Sequence, residues 1–91
     1  MSGCIYRPTI WLEDQEDYSL NVNYDLRLYL EKEPLEFVDD YSIFTLDITE
    51  ETINELERLA ISDDEKKLVK RIREMNPNYI NIEPHTYFIA D

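Results

Sequence analysis

Glycine is almost missing from this chain, the only one being Gly3. Phosphate-cradling loops, dinucleotide fingerprints and EF-hand loops all need glycine at fixed positions, so none of them can be built in the folded part. Cysteine and histidine occur once each, as Cys4 and His85. One thiol excludes an intramolecular disulfide, and one Cys with one distant His is no zinc-ligand cluster. No apolar run approaches the roughly 20 residues of a membrane span, and the first ten residues hold no signal-like stretch. These absences set the expectations: a reducing, cytoplasmic setting, no metal, no cofactor and no membrane contact.

Positive charge is also scarce. Nine basic side chains face 21 acidic ones, a net charge of −12. That balance repels phosphate and anionic lipid and steers encounter with a cationic surface, so the expected partner is a basic protein and not nucleic acid itself. Catalytic equipment is not legible either. No serine or cysteine has a recognisable base beside it, and carboxylates are too plentiful to single out an acid–base pair. The chain is therefore not expected to be an enzyme.

What is present suits one domain over residues 1–91, 43% apolar, of a size that buries only about 60–65% of the surface its unfolded chain exposes. From Leu20 to Leu30 every even position is apolar (Leu20, Val22, Tyr24, Leu26, Leu28, Leu30), and the odd positions are polar or charged except Tyr29. A period of two predicts a long central strand with one buried face. Ile5–Leu12 reads as a preceding strand, placed at an edge or bulged by Pro8, and the acidic link 13–17 joins the two as a hairpin. Tyr41–Ile48 resumes strand character as the next neighbour in a meander.

Two helices follow. Thr49 is the expected N-cap of the first, with Glu50 and Glu51 at the positive end of its dipole and Ile53, Leu56, Leu59 and Ala60 as its apolar stripe. Ser62-Asp63-Asp64-Glu65 has the form of a capping box opening the second, whose stripe is Leu68, Val69, Ile72 and Met75 and which Asn76-Pro77-Asn78 ends. Strand-rich segments at Tyr79–Ile82 and Thr86–Ile89 close the chain. The fold class is α+β, with an antiparallel sheet of three to four strands, a meander plus a C-terminal strand, and two helices packed on one face.

Charge is segregated along the chain. Residues 1–62 hold four basic side chains against fifteen acidic ones, and the other five bases, Lys66, Lys67, Lys70, Arg71 and Arg73, all lie in the second helix. There they are expected to pair internally at i,i+4, as Asp63–Lys67 and Lys70–Glu74, which reads as a self-neutralised helix. The unopposed acids fall in two connections: Glu13, Asp14, Glu16 and Asp17, then Glu31, Glu33, Glu36, Asp39 and Asp40. Tyr29 is the aromatic that breaks the polar row beside them. These ten residues form the expected partner-binding set, because acids interleaved with rigid tyrosines can fill a cleft shaped for a phosphate backbone. Trp11 is read as a partly buried core indole in preference to an anchor.

The leading expectation is an inhibitor of a basic protein, such as an immunity protein or antitoxin that neutralises a nuclease toxin. Two alternatives stand beside it. One is a phage DNA mimic acting against restriction or CRISPR enzymes. The other is a non-catalytic structural or regulatory subunit, with homodimerisation by edge pairing left open.

Overall fold

A computed structural model describes residues 3–32, 34–38 and 41–89. In chain order its elements are β1 (Gly3–Tyr6), β2 (Thr9–Leu12), β3 (Glu16–Ser19), α1 (Tyr24–Leu30), β4 (Pro34–Val38), β5 (Tyr41–Asp47), α2 (Glu50–Leu59), α3 (Asp63–Met75), β6 (Tyr79–Glu83) and β7 (Thr86–Ile89). The class is α+β, as the sequence indicates. Five strands form one antiparallel sheet in the order β3-β2-β6-β5-β4, and β1 pairs with β7 in a separate ribbon.

The expected central strand is not a strand. Residues 20–23 are irregular and the rest of the stretch is α1. Asn23 caps that helix, its side chain accepting from the Leu26 amide at 3.0 Å, and Asp25 sits in the first turn. Of the six alternating apolar residues, Leu26 and Leu30 are buried at helical i,i+4 spacing, while Tyr24 (69% exposed) and Leu28 (54%) point outward. The period of two therefore came from buried Leu20 and half-buried Val22 before the helix, a helical pair within it, and two solvent-facing apolar side chains.

The sheet's centre is instead β6. Ile80 and Ile82, both fully buried, stand in rows with Leu12 and Leu46, and with Ile10 and Phe44, from β2 and β5. The three helices cover this face, adding Leu26, Leu30, Ile53, Leu56, Leu68, Val69 and Ile72 to one continuous core. Burying a Leu or Ile side chain is worth about 1.5–3 kcal/mol, so this single core supplies most of the drive to fold.

Pro8 causes no bulge, and only the part of the expected strand before it, β1, is an edge, paired with β7 alone. Pro8 separates β1 from β2, and β2 lies inside the sheet between β3 and β6. Opposite it, Pro84 separates β6 from β7. Register runs unbroken through this double gap: Tyr6 faces Thr86 on one side, Thr9 faces Glu83 on the other, and the Arg7 amide donates to the His85 carbonyl at 2.9 Å between them. The missing proline N–H groups thus fall where no ladder bond is required.

α2 and α3 begin where the sequence indicates. The Thr49 side chain accepts from the Thr52 amide, and Ser62 and Glu65 form the reciprocal capping box. Asn76 ends α3 in the left-handed conformation at φ 50. Glu65 does more than cap. It is 1% exposed, and its carboxylate accepts from the amides of Ile61 (3.0 Å) and Ser62 (2.7 Å) and from the amide (2.6 Å) and side chain (2.9 Å) of Asn23. Burial on its own would raise its pKa, but these donors hold the carboxyl below the usual carboxylate range. One buried acid thereby ties the start of α1 to the joint between α2 and α3.

Candidate functional site

Strand alternation gives the sheet a second face, and the helices leave it open. Its rows follow from the register. Asp17, Trp11, Asn81 and Thr45 run across β3, β2, β6 and β5, while Tyr79 stands opposite Asp47 one row toward the β2–β3 turn. On the other side Ser19, Thr9 and Glu83 form the next row. Trp11 is 38% exposed, Tyr79 is half-buried, and Asp17 and Asp47 are exposed.

Glu13 completes the frame. It forms the tight β2–β3 turn with φ 52, a left-handed conformation that a non-glycine residue adopts at about 1–2 kcal/mol. Two bonds to the neighbouring strand offset this: the Glu13 amide donates to the Tyr79 carbonyl at 3.3 Å, and its carboxylate accepts from the Asn78 amide at 2.7 Å. Two aromatic rings thus lie on an open sheet inside a frame of four carboxylates, Glu13, Asp17, Asp47 and Glu83. Glu83 also meets His85, Oε1 to Nε2 at 3.2 Å.

Between the rings lies Asn81, whose Oδ1 is shielded from solvent and has no hydrogen-bond partner among the described residues. A shielded acceptor left unmatched is uncommon and is stabilised by any donor brought to it. Chemically, the face sets each ring beside a carboxylate on the adjacent strand, Trp11 by Asp17 and Tyr79 by Asp47, at a strand spacing of about 4.8 Å. That combination receives guanidinium or ammonium groups.

The ten residues expected to bind a partner separate in space. Glu13, Asp14 and Asp17 lie on or beside the open face, with Asp14 exposed at the turn. Glu16 points to the helical side. Its carboxylate accepts from Arg71 Nε at 2.8 Å and from the Tyr18 hydroxyl at 2.7 Å. Arg71 first and Tyr18 second pull its pKa down to about 2. Tyr29 and Glu31 lie on α1, where the Lys32 ammonium sits 4.4 Å from the Tyr29 ring and Arg27 Nε donates to Glu31 at 2.9 Å. The Arg27 guanidinium in turn covers the Tyr6 ring at 4.1 Å, and burial raises the pKa of that phenol. Glu36 belongs to edge strand β4, opposite Ile43. Glu33, Asp39 and Asp40 lie outside the described residues.

Sequence reasoning missed Tyr79, Asp47 and Glu83, and assigned Trp11 to the core. The alternation Tyr79-Ile80-Asn81-Ile82-Glu83 carries the signal for two of them. The pairing of β2 with β6, which sets Trp11 beside that row, carries none. The basic helix also differs from expectation, because its ion pairs run to other elements and not along itself. Arg71 holds Glu16 on β3, and Arg73 holds Glu57 at 2.9 Å and Glu50 at 3.3 Å on α2.

Among the described residues, no group of three or more His, Cys, Asp or Glu side chains is placed to hold a metal ion, and no helix is long and apolar enough to cross a membrane. No protein-family model, curated protein or solved structure matches the chain, so the reading of this face rests on its own chemistry.

Proposed function

We propose that this protein is a small acidic inhibitor that binds a basic protein, of the immunity-protein or antitoxin kind, and that its target is a cationic nuclease toxin. The observation that supports the reading is the uncovered sheet face, where Trp11 and Tyr79 lie within the carboxylates of Glu13, Asp17, Asp47 and Glu83. A nuclease cleft evolved for phosphate presents arginine and lysine side chains. An exposed indole and a half-buried phenol give such groups a rigid surface, and the surrounding acids supply complementary charge and fast association. The net charge of −12 extends that attraction beyond the contact itself. Because the acids frame the aromatics and do not run in a line, the face is better suited to receiving cationic side chains than to copying a phosphate backbone.

Co-expression with a basic nuclease domain encoded beside this gene tests the reading. Rescue of growth, together with a salt-sensitive complex that Trp11→Ala abolishes, is the expected result. A nuclease that remains toxic and forms no complex at low salt would overturn it.

A further inference from the structure

On the helical side a second surface has the opposite electrostatic character. α1 and α2 bound a shallow groove of about 410 Å³ lined by Asp25, Leu28, Tyr29, Lys32, Glu55, Arg58 and Leu59. Its charges cancel, two acids against two bases, in a chain whose net charge is −12. Asp25 sits close enough to Arg58, and Lys32 to Glu55, to act on their charges. Large apolar side chains stand exposed here and nearby: Leu28 at the groove, Tyr24 one turn before it, and Ile61, whose backbone shares the Glu65 carboxylate with Asn23.

We infer that this groove is a homodimer interface, and that a second copy of the chain covers it with α1 packed antiparallel on α1 about a two-fold axis. Two observations choose this occupant. First, like-charged copies repel each other over most of their surface, and the groove is a place where they meet without adding unbalanced charge. Second, the order of charges along α1 is self-complementary. A two-fold axis between Leu28 and Tyr29 sets Asp25 of one copy against Lys32 of the other, and the same contact repeats on the opposite side of the axis. Asp25 lies in the first turn of α1 and Lys32 just beyond its C-cap, with the Lys32 ammonium over the Tyr29 ring, so both pairs form together while Leu28 of each copy meets Tyr29 of the other. The contact is small compared with the roughly 800 Å² per partner of a standard interface, which makes a weak, reversible dimer the outcome.

Salt dependence sets this interface apart from capture of a basic protein. Salt screens the two Asp25–Lys32 pairs as well as the repulsion between copies that each carry a net charge of −12, and the repulsion involves far more charges, so added salt strengthens the dimer. Sedimentation equilibrium on the full chain over rising concentration, in low salt and in about 0.5 M salt, reads this directly. The mass is expected to rise from 11.0 kDa toward twice that value, at lower concentration in high salt. Leu28→Asp and Asp25→Lys are each expected to weaken the dimer about tenfold. Circular dichroism reports whether each variant stays folded. Should Asp25→Lys fail to fold, Leu28→Asp, at an exposed position, still decides. A monomer under every condition overturns the inference, as does a dimer indifferent to Leu28→Asp.

Discussion

The two open surfaces differ less in shape than in how their charges are arranged. On the sheet face, carboxylates surround Trp11 and Tyr79, leaving an unbalanced negative frame that calls for a cation from outside. Along the helical groove, Asp25, Lys32, Glu55 and Arg58 balance one another around Leu28. The same residue types thus make two kinds of surface. Whether the charge balances locally decides whether a surface suits a stranger or a copy of itself.

The largest separation of the two faces comes from Trp11→Ala, which removes the central ring of the sheet face. A buried interface aromatic is commonly worth about 2–4 kcal/mol, so capture of the nuclease, measured by titration calorimetry, should weaken by about 30- to 900-fold. Self-association should stay unchanged. Glu65→Gln acts from the other side. An amide cannot accept all the hydrogen bonds of the buried carboxylate, and the loss should lower unfolding stability by about 1–3 kcal/mol in denaturant titration. It loosens the attachment of α1 and so weakens the dimer, while the isolated folded protein keeps its affinity for the nuclease.

A smaller change comes from Asp17→Asn with Asp47→Asn. Stopped-flow association at low salt should slow about tenfold, and the difference should vanish in high salt as screening replaces the lost charge. Equal slowing at both salt levels would mean that the carboxylates act by direct contact and not by steering.

The smallest effect is a change in acid sensitivity. The Glu16 carboxyl is held at about 2 against 4.5 in the unfolded chain, so its tie to Arg71 stabilises the fold fully above pH 4.5 and is lost as pH falls toward 2. Melting temperatures of the wild type and Glu16→Gln should therefore differ near neutral pH and converge through that window. A gap that persists unchanged at pH 2 would assign the effect to packing.

Where local chemistry decides structure, the sequence was a good guide. Thr49, the Ser62–Glu65 box and Asn76 carry their own capping signals, and α2 and α3 begin and end accordingly. Leu20–Leu30 misled because periodicity registers which residues are apolar and not which are buried. Asn23 held the competing signal, a capping side chain three residues ahead of Leu26, but half of what fixes it in place is Glu65, 42 positions away. The sheet face failed for the same reason. Trp11 and Asn81 become neighbours only through a pairing between the two ends of the chain, whereas the turn that carries Asp14 and leads to Asp17 is a local feature of a polar stretch next to a strand.

The unbroken register across Pro8 and Pro84 has a consequence for how this chain tolerates change. Tyr6 reaches α1 and Trp11 faces outward because both strands keep the same parity through the gap. One extra residue at Pro8 would act as a spatial frameshift, turning β1 over so that Tyr6 met solvent in place of α1. Two extra residues would preserve the parity, so length variation at this proline should occur in even steps.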